Sequence, residues 1–305
     1  MTFVTILNSY KMYKNNVIIE DIDSDGKKDI LFGSYEDDDA DFSGNVWRFD
    51  NKGNVVWKRH VGHKVYFGGK LHQNHFRVWQ ICVVDLDQNG QNEIIQIAFH
   101  FPEEPVCIHI SDVYGKLIAE YWHVGQFNVV DFLDINNDGV DEILLGGQNN
   151  EYRNAVLAIL DYRLLQGCSP QTPTSEFYPD SLASGTEMFY LRFPKTKFQK
   201  PGPTYRDKIL TIKKRKNGIT AVVTNQYPNK NWSYPVTAGL ICYDLNKKME
   251  LISDPWFGDT YKSLLIDHFG FEPEPDDYQR ILYWDGNNWI DKPTVNRRWK
   301  KLKEK

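Results

Sequence analysis

The amino-acid sequence predicts an all-β chain built from repeated four-stranded units. Three observations carry that expectation. Aromatic residues are in excess, with 17 Tyr, 17 Phe and 9 Trp in 305 residues, and aromatic and β-branched side chains suit a pleated, half-buried surface. Short apolar runs alternate with glycine-containing turns, while long helical periodicity is scarce. One Asp-rich loop recurs three times in register, each time between runs rich in Val and Ile. The rest of the composition, 41% hydrophobic and 25% charged, is that of an ordinary globular chain. Its length suits one large β domain or two modest ones, and a single domain over 1–305 is expected.

The first copy of the loop reads Asp21-Ile-Asp23-Ser-Asp25-Gly26-Lys27-Lys-Asp29, followed by Ile30-Leu31. The second is Asp85-Leu-Asp87-Gln-Asn89-Gly90-Gln91-Asn-Glu93, and the third Asp134-Ile-Asn136-Asn-Asp138-Gly139-Val140-Asp-Glu142. Oxygen-bearing side chains stand at positions 1, 3, 5 and 9, glycine at 6, and two aliphatics follow. A hard divalent cation takes several oxygen ligands at about 2.3–2.6 Å, which such a loop can supply. The glycine lets the backbone turn sharply inside its own ligands. An EF-hand begins in the same way but closes on a bidentate Glu at position 12, between two helices. Position 12 here is Phe32, Gln96 or Leu145, and the flanks Val17–Glu20, Ile81–Val84 and Phe127–Val130 read as strands. The unit is therefore strand–loop–strand.

These loops resemble the FG-GAP/VCBS repeats of β-propellers such as the integrin α-subunit head. The resemblance is close over residues 16–170 and fades beyond. It implies a propeller of four-stranded blades with a calcium ion in each of the first three. The implied ligands are the side chains of Asp21, Asp23, Asp25 and Asp29, of Asp85, Asp87, Asn89 and Glu93, and of Asp134, Asn136, Asp138 and Glu142. Backbone carbonyls of Lys27, Gln91 and Val140 complete them. Asn replaces a carboxylate once in the second loop and once in the third. The lower ligand charge there predicts weaker sites than the first.

Taken in order, residues 1–15 are expected to hold a lone strand that closes the last blade. Blade one spans 16–60, with a hairpin turning at Asn51-Lys-Gly53 and an acidic tip at 36–41. Blade two spans 80–123 and turns near Gly115. Blade three spans 127–193, its fourth strand displaced to Met188–Arg192 by the Pro-, Ser- and Thr-rich insertion 168–184. Blade four, 205–254, has its strands at 209–213, 220–224, 239–244 and 248–252. Its basic first turn, Lys214–Gly218, cannot hold calcium. Residues 255–295 are expected to supply a last blade from Ser263-Leu-Leu-Ile266 and a hairpin at 280–290, giving five blades, with six as the alternative count. The basic tail 296–305 reads as a solvated end.

His60, His63, His72 and His75 form two His-x-x-His pairs that suggest a transition metal. No Cys or nearby carboxylate joins them in sequence, and on a strand residues three apart face opposite ways. The sequence thus favours a loop on the propeller face. Tyr66, His72 and His75 in that loop, and Tyr227 and Trp232 in 225–234, are candidate ligand-binding residues. The rival reading places such rings in blade junctions. Cys82, Cys107, Cys168 and Cys242 are scattered, mostly inside apolar runs, and make no disulfide framework.

A net charge of −5 offers no footprint for nucleic acid, and no run of about 18 apolar residues suggests a membrane span. The opening residues turn polar too soon for a signal peptide. Calcium loops nevertheless point to an extracellular, periplasmic or cell-surface setting. No nucleophile elbow, P-loop, dinucleotide fingerprint or HExxH occurs. No two acids, Glu103, Glu104 and Glu151 included, are visibly paired for glycoside cleavage. The expected function is a calcium-binding binding or scaffold module for a protein or glycan. The alternatives are a carbohydrate-active hydrolase or lyase on the same fold, and the sensor portion of a larger membrane-anchored protein.

Overall fold

The computed structural model describes residues 16–34, 44–73, 75–100, 105–199, 206–224, 226–227, 236–237 and 239–305. The expected closing strand 1–15, the acidic tip 36–41, Glu103, Glu104 and Trp232 lie outside them. The described residues are all-β in architecture and fall into two compact units. One comprises residues up to Val124 together with Tyr162–Gly185, the other Gly125–Asp161 and Thr186–Lys305.

In the first unit, β1 (Val17–Glu20), β2 (Asp29–Gly33), β3 (Asn45–Phe49) and β4 (Val55–His60) form an antiparallel sheet in chain order. A two-stranded hairpin follows, β5 (Val65–Phe67) and β6 (Lys70–His72). The second four-stranded sheet is β7 (Phe76–Val84), β8 (Glu93–His100), β9 (Val106–Asp112) and β10 (Leu117–His123). β3 is buried along its whole length whereas β4 is largely exposed. An inner strand covered on both faces reads as a continuous apolar run, and this one carries Val46, Trp47 and Phe49. Between the two sheets lies a core of Leu31, Val46, Val78, Ile81, Ile94 and Trp122. Residues 168–184 belong to this unit, tied down by bonds such as Gly68 N–H to the Tyr178 carbonyl at 2.8 Å.

The second unit holds β11 (Gly125–Leu133), β12 (Glu142–Asn149), β13 (Asn154–Leu160) and β14 (Phe189–Arg192), then β15 (Lys208–Arg215) and β16 (Gly218–Thr224). A short pair, β17 (Gln226–Tyr227) and β18 (Val236–Thr237), precedes β19 (Ile241–Asn246) and β20 (Trp256–Phe257). β15, β16, β19 and β20 make a four-stranded sheet. The repeat survives here without its acidic loop. The first strand of the second, third and fourth sheets carries a bulge at the matching place, Val78–Gln80, Phe127–Val129 and Ile209–Thr211. Glycine recurs where the next sheet comes close. A Cβ on Gly33 would stand 2.5 Å from Val78 Cγ1, and one on the equivalent Gly146 would stand 2.7 Å from Ile209 Cγ2.

Four expectations are corrected beyond residue 245. Residues 248–252 are the fourth strand only at their end: Asn246–Glu250 close a tight turn with Met249 at φ 62°, and Leu251 bridges back to Leu245. β20 continues the pairing farther along β19. Ser263–Ile266 is not a strand but part of helix α1 (Asp259–Phe269), which buries Tyr261 and Leu265 one turn apart and ends at Gly270, φ 76°. The hairpin β21 (Leu282–Trp284) and β22 (Trp289–Ile290) makes no separate blade. It pairs with β14 and widens the third sheet to six strands. Arg192 fastens that edge, its guanidinium 4.5 Å from the Tyr152 ring and 4.7 Å from the Trp289 ring.

The tail, finally, is not a solvated end. It forms helix α2 (Arg297–Lys303), with Trp299 buried. Asn296 caps it, accepting from Arg298 N–H at 2.9 Å while its amide donates to Glu187 at 3.2 Å. Asn296→Ala is expected to cost about 1–2 kcal/mol in urea unfolding, as loss of a cap does. An unchanged midpoint would mean that the helix docks through Trp299 alone.

Candidate functional site

Each acidic loop joins the first two strands of its sheet, and all three are wired alike. Position 4 adopts the left-handed conformation, at φ 61° for Ser24, 57° for Gln88 and 59° for Asn137. The glycine at position 6 follows at 83°, 87° and 85°, a region that costs glycine little. Its N–H then donates to the carboxylate at position 1: Gly26 to Asp21 at 3.0 Å, Gly90 to Asp85 at 2.8 Å and Gly139 to Asp134 at 3.1 Å. The position-7 N–H donates to the side chain at position 5, from Lys27 to Asp25 at 2.8 Å, Gln91 to Asn89 at 2.7 Å and Val140 to Asp138 at 3.0 Å. Such local bonds fold carboxylates inward that would otherwise repel one another.

The loops differ in what meets the acid at position 9. In the second and third, buried Glu93 and Glu142 reach back to the position-2 N–H groups of Leu86 and Ile135, at 2.9 and 2.8 Å. Asp29 is one methylene shorter. It accepts instead from buried Arg48 at 2.7 Å, and the same nitrogen holds Asp23. The first loop therefore carries a built-in cation, although Asp21 Oδ1 and Asp23 Oδ1 remain buried without a hydrogen-bond partner. The ranking by ligand charge, which puts this loop first, leaves Arg48 out.

In the second loop Asp85, Asp87 and Glu93 offer oxygens within 4.8 Å of one another, and Tyr162 donates to Asp87 at 3.1 Å. Burial pushes the Glu93 carboxyl up despite the bond from Leu86, and Asp87 and Asp85 add to the rise. In the third loop the converging acids are Asp138, Glu142 and Asp161. Burial pushes Glu142 up to about 7, and the charges of Asp161 and Asp138 act in the same direction. Lys303 closes on Asp138 at 2.5 Å, and Asn136 turns its amide to Glu142 at 2.6 Å.

Asp161 is a member that the sequence reading missed. A signal for it exists. Asp50, Asp112 and Asn246, at the ends of the third strands of the other sheets, each accept two N–H bonds and form the turn to the fourth strand. Asp161 follows β13 at the same place, accepts from Trp299 Nε1 at 3.3 Å and turns toward the acids of the third loop.

Of the proposed ligand-binding residues, Tyr66, His72 and His75 have described side chains. Tyr66 is exposed on β5. His72 is buried, edge-on to Phe67 at 5.9 Å and His100 at 5.0 Å, with its pKa lowered chiefly by burial. It is a core residue, which corrects the expectation of a surface contact. His75 is exposed, and Tyr227 is described only as part of β17. The four loop histidines do not meet. His60 packs on Phe76, and His63 turns to Glu120.

No protein-family model matches the chain, and no curated protein matches it. Among solved structures it is similar to the native arabinanase Arb43A of Bacillus subtilis, at 11% identity and a TM-score of 0.33, over 82% of this chain and 82% of that one.

Proposed function

We propose that the chain is a calcium-ordered repeat module, its sheets the blades of a propeller of the FG-GAP/VCBS kind, that works by binding a protein or glycan outside the cell. The observation that carries this reading is the shared wiring of the three loops, which aims oxygens inward in each. The donors fit a hard cation, since they are carboxylates, amides and carbonyls with no nitrogen base or thiolate. Asp85, Asp87, Asn89, Glu93 and the Gln91 carbonyl would hold one ion. Asp134, Asp138, Glu142 and the Val140 carbonyl, joined by Asp161, would hold another. Asp21, Asp23, Asp25 and the Lys27 carbonyl would hold a third in competition with Arg48. Bound calcium supplies the positive charge that lets these carboxylates stay together ionised, and so locks the turn between two strands.

Calcium at one hundred times its Kd is expected to stabilise the fold by about 2.7 kcal/mol per site. Thermal melts with excess calcium and with EGTA should differ by several degrees. Identical melts of metal-free protein would refute the reading. Because Arg48 occupies part of the first loop, Asp87→Ala is expected to lose more calcium affinity than Asp23→Ala in calorimetric titration. A glycan array with a reducing-end assay tests the binding role, and release of reducing ends would replace it with cleavage.

A further inference from the structure

We propose that Cys107, His109 and Glu120, with His63 as fourth ligand, form a site for a borderline-soft divalent transition metal, zinc above all, separate from the acidic loops. The fold supplies what the histidine loop lacks in sequence. Cys107 and His109 are two apart on β9 and so share a face. Across the ladder, Trp122 pairs with Cys107 and Glu120 with His109. That pairing depends on a bulge between Leu117 and Ala119. Were the ladder to continue from Leu117 without the bulge, Glu120 would oppose Ile108 and point to the other face, because a one-residue slip inverts a strand.

Ligand atoms of Cys107, His109 and Glu120 all lie within 4.8 Å of one another. Tetrahedral zinc, with bonds of about 2.0–2.3 Å, holds neighbouring donors roughly 3.4–3.6 Å apart, a short closure from this arrangement. His63 Nε2 stands 3.1 Å from Glu120 Oε1, and His109 Nε2 stands 2.8 Å from Glu120 Oε2. Two lone-pair acceptors so close require a proton or a metal ion between them. Gly62 N–H also approaches His109 Nε2, at 3.4 Å, and that contact is a hydrogen bond only if the nitrogen carries no proton. A metal ion on that lone pair links His109 to Glu120 and takes the place of the long Gly62 contact.

The surroundings suit a metal. Trp122 Nε1 donates to Glu120 Oε1 at 2.7 Å and fixes the carboxylate, as outer partners of metal ligands do. The His63 side chain, 51% exposed, opens the site to solvent, while Cys107 is wholly buried. A thiol with two nitrogen bases selects zinc, cobalt or their like over calcium and magnesium. On binding, the Cys107 sulfur bonds the metal and its proton leaves to the buffer, so affinity rises with pH.

The test uses the full chain, stripped of metal and then saturated with calcium, so that failure of the acidic loops and failure of this site stay distinguishable. Zinc is expected to bind one per chain at micromolar or tighter affinity. Cobalt should show a thiolate-to-cobalt charge-transfer band and the visible absorption of a tetrahedral ion. Cys107→Ser should abolish the charge-transfer band, and His109→Ala and His63→Ala should each weaken zinc at least tenfold, while Cys242→Ser changes nothing. Should Cys107→Ser fail to fold, exposed His63 carries the comparison. Absence of stoichiometric zinc binding in the calcium-loaded protein, or a cobalt spectrum without the thiolate band, overturns the proposal.

Discussion

Arg48→Met is expected to cost about 3–5 kcal/mol of stability in EGTA, the usual effect of removing one partner from a buried ion pair. Arg48 is 3% exposed on an inner strand. It holds Asp23, Asp29 at 2.7 Å and the Val113 carbonyl at 3.0 Å. Burial works against its charge, and the bonds it donates to Asp23 and Asp29 outweigh that and keep the guanidinium protonated. Methionine fills most of the space but leaves Asp29, 5% exposed, without the guanidinium that pairs with it. Calcium should then restore part of the loss, since the two carboxylates that Arg48 held, Asp23 and Asp29, become available to the ion. Urea unfolding of wild type and variant, each with calcium and with EGTA, decides the matter. A variant as stable as wild type in EGTA would show the pair to be dispensable. A calcium gain no larger in the variant than in wild type would show that the first loop takes no ion even when vacated.

Asp207→Asn is expected to stabilise the protein by up to about 4 kcal/mol near pH 8 and to change little near pH 4. Asp207 is fully buried, its carboxylate accepting from Thr196 N–H and Thr196 Oγ1, both at 2.8 Å. Burial pushes its carboxyl from 3.8 up to about 7 against those bonds and the charges of Lys195 and Arg153. The folded state thus holds a proton that the unfolded chain has lost. Stability from this group is complete below about pH 4, falls by about 1.4 kcal/mol per unit as pH rises, and levels off above 7. Asparagine stays neutral, keeps an oxygen for Thr196 N–H and can donate to Thr196 Oγ1. Parallel pH profiles for wild type and variant, read from denaturant midpoints between pH 4 and 8, would sink this account.

The sequence by itself determined the repeat. Its three loops are local objects, each folded by a left-handed residue, a glycine and side-chain-to-backbone bonds that span no more than five residues for Asp85 and Gly90. Their flanking strands are equally legible, since β-branched runs read directly as pleated segments. The fourth sheet was harder. Its strands 209–213, 220–224 and 239–244 were readable by alternation, but the last strand and helix α1 were not. Short apolar runs such as Ser263–Ile266 look alike in helix and strand until packing chooses.

What only the tertiary structure decided is which charges and ligands meet. Arg48 lies 19 residues from Asp29, Lys303 lies 165 residues from Asp138, and Asp161 comes to the third loop from the far end of β13. Cys107, His109 and Glu120 share one face because of a single bulged residue in β10, and His63 is carried to them by a separate stretch of chain. The physical reason is common to all of these. Local turns are specified by the dihedral preferences and hydrogen bonds of a few adjacent residues. Pairing across a sheet is specified by register, and register is settled by burial of the whole strand.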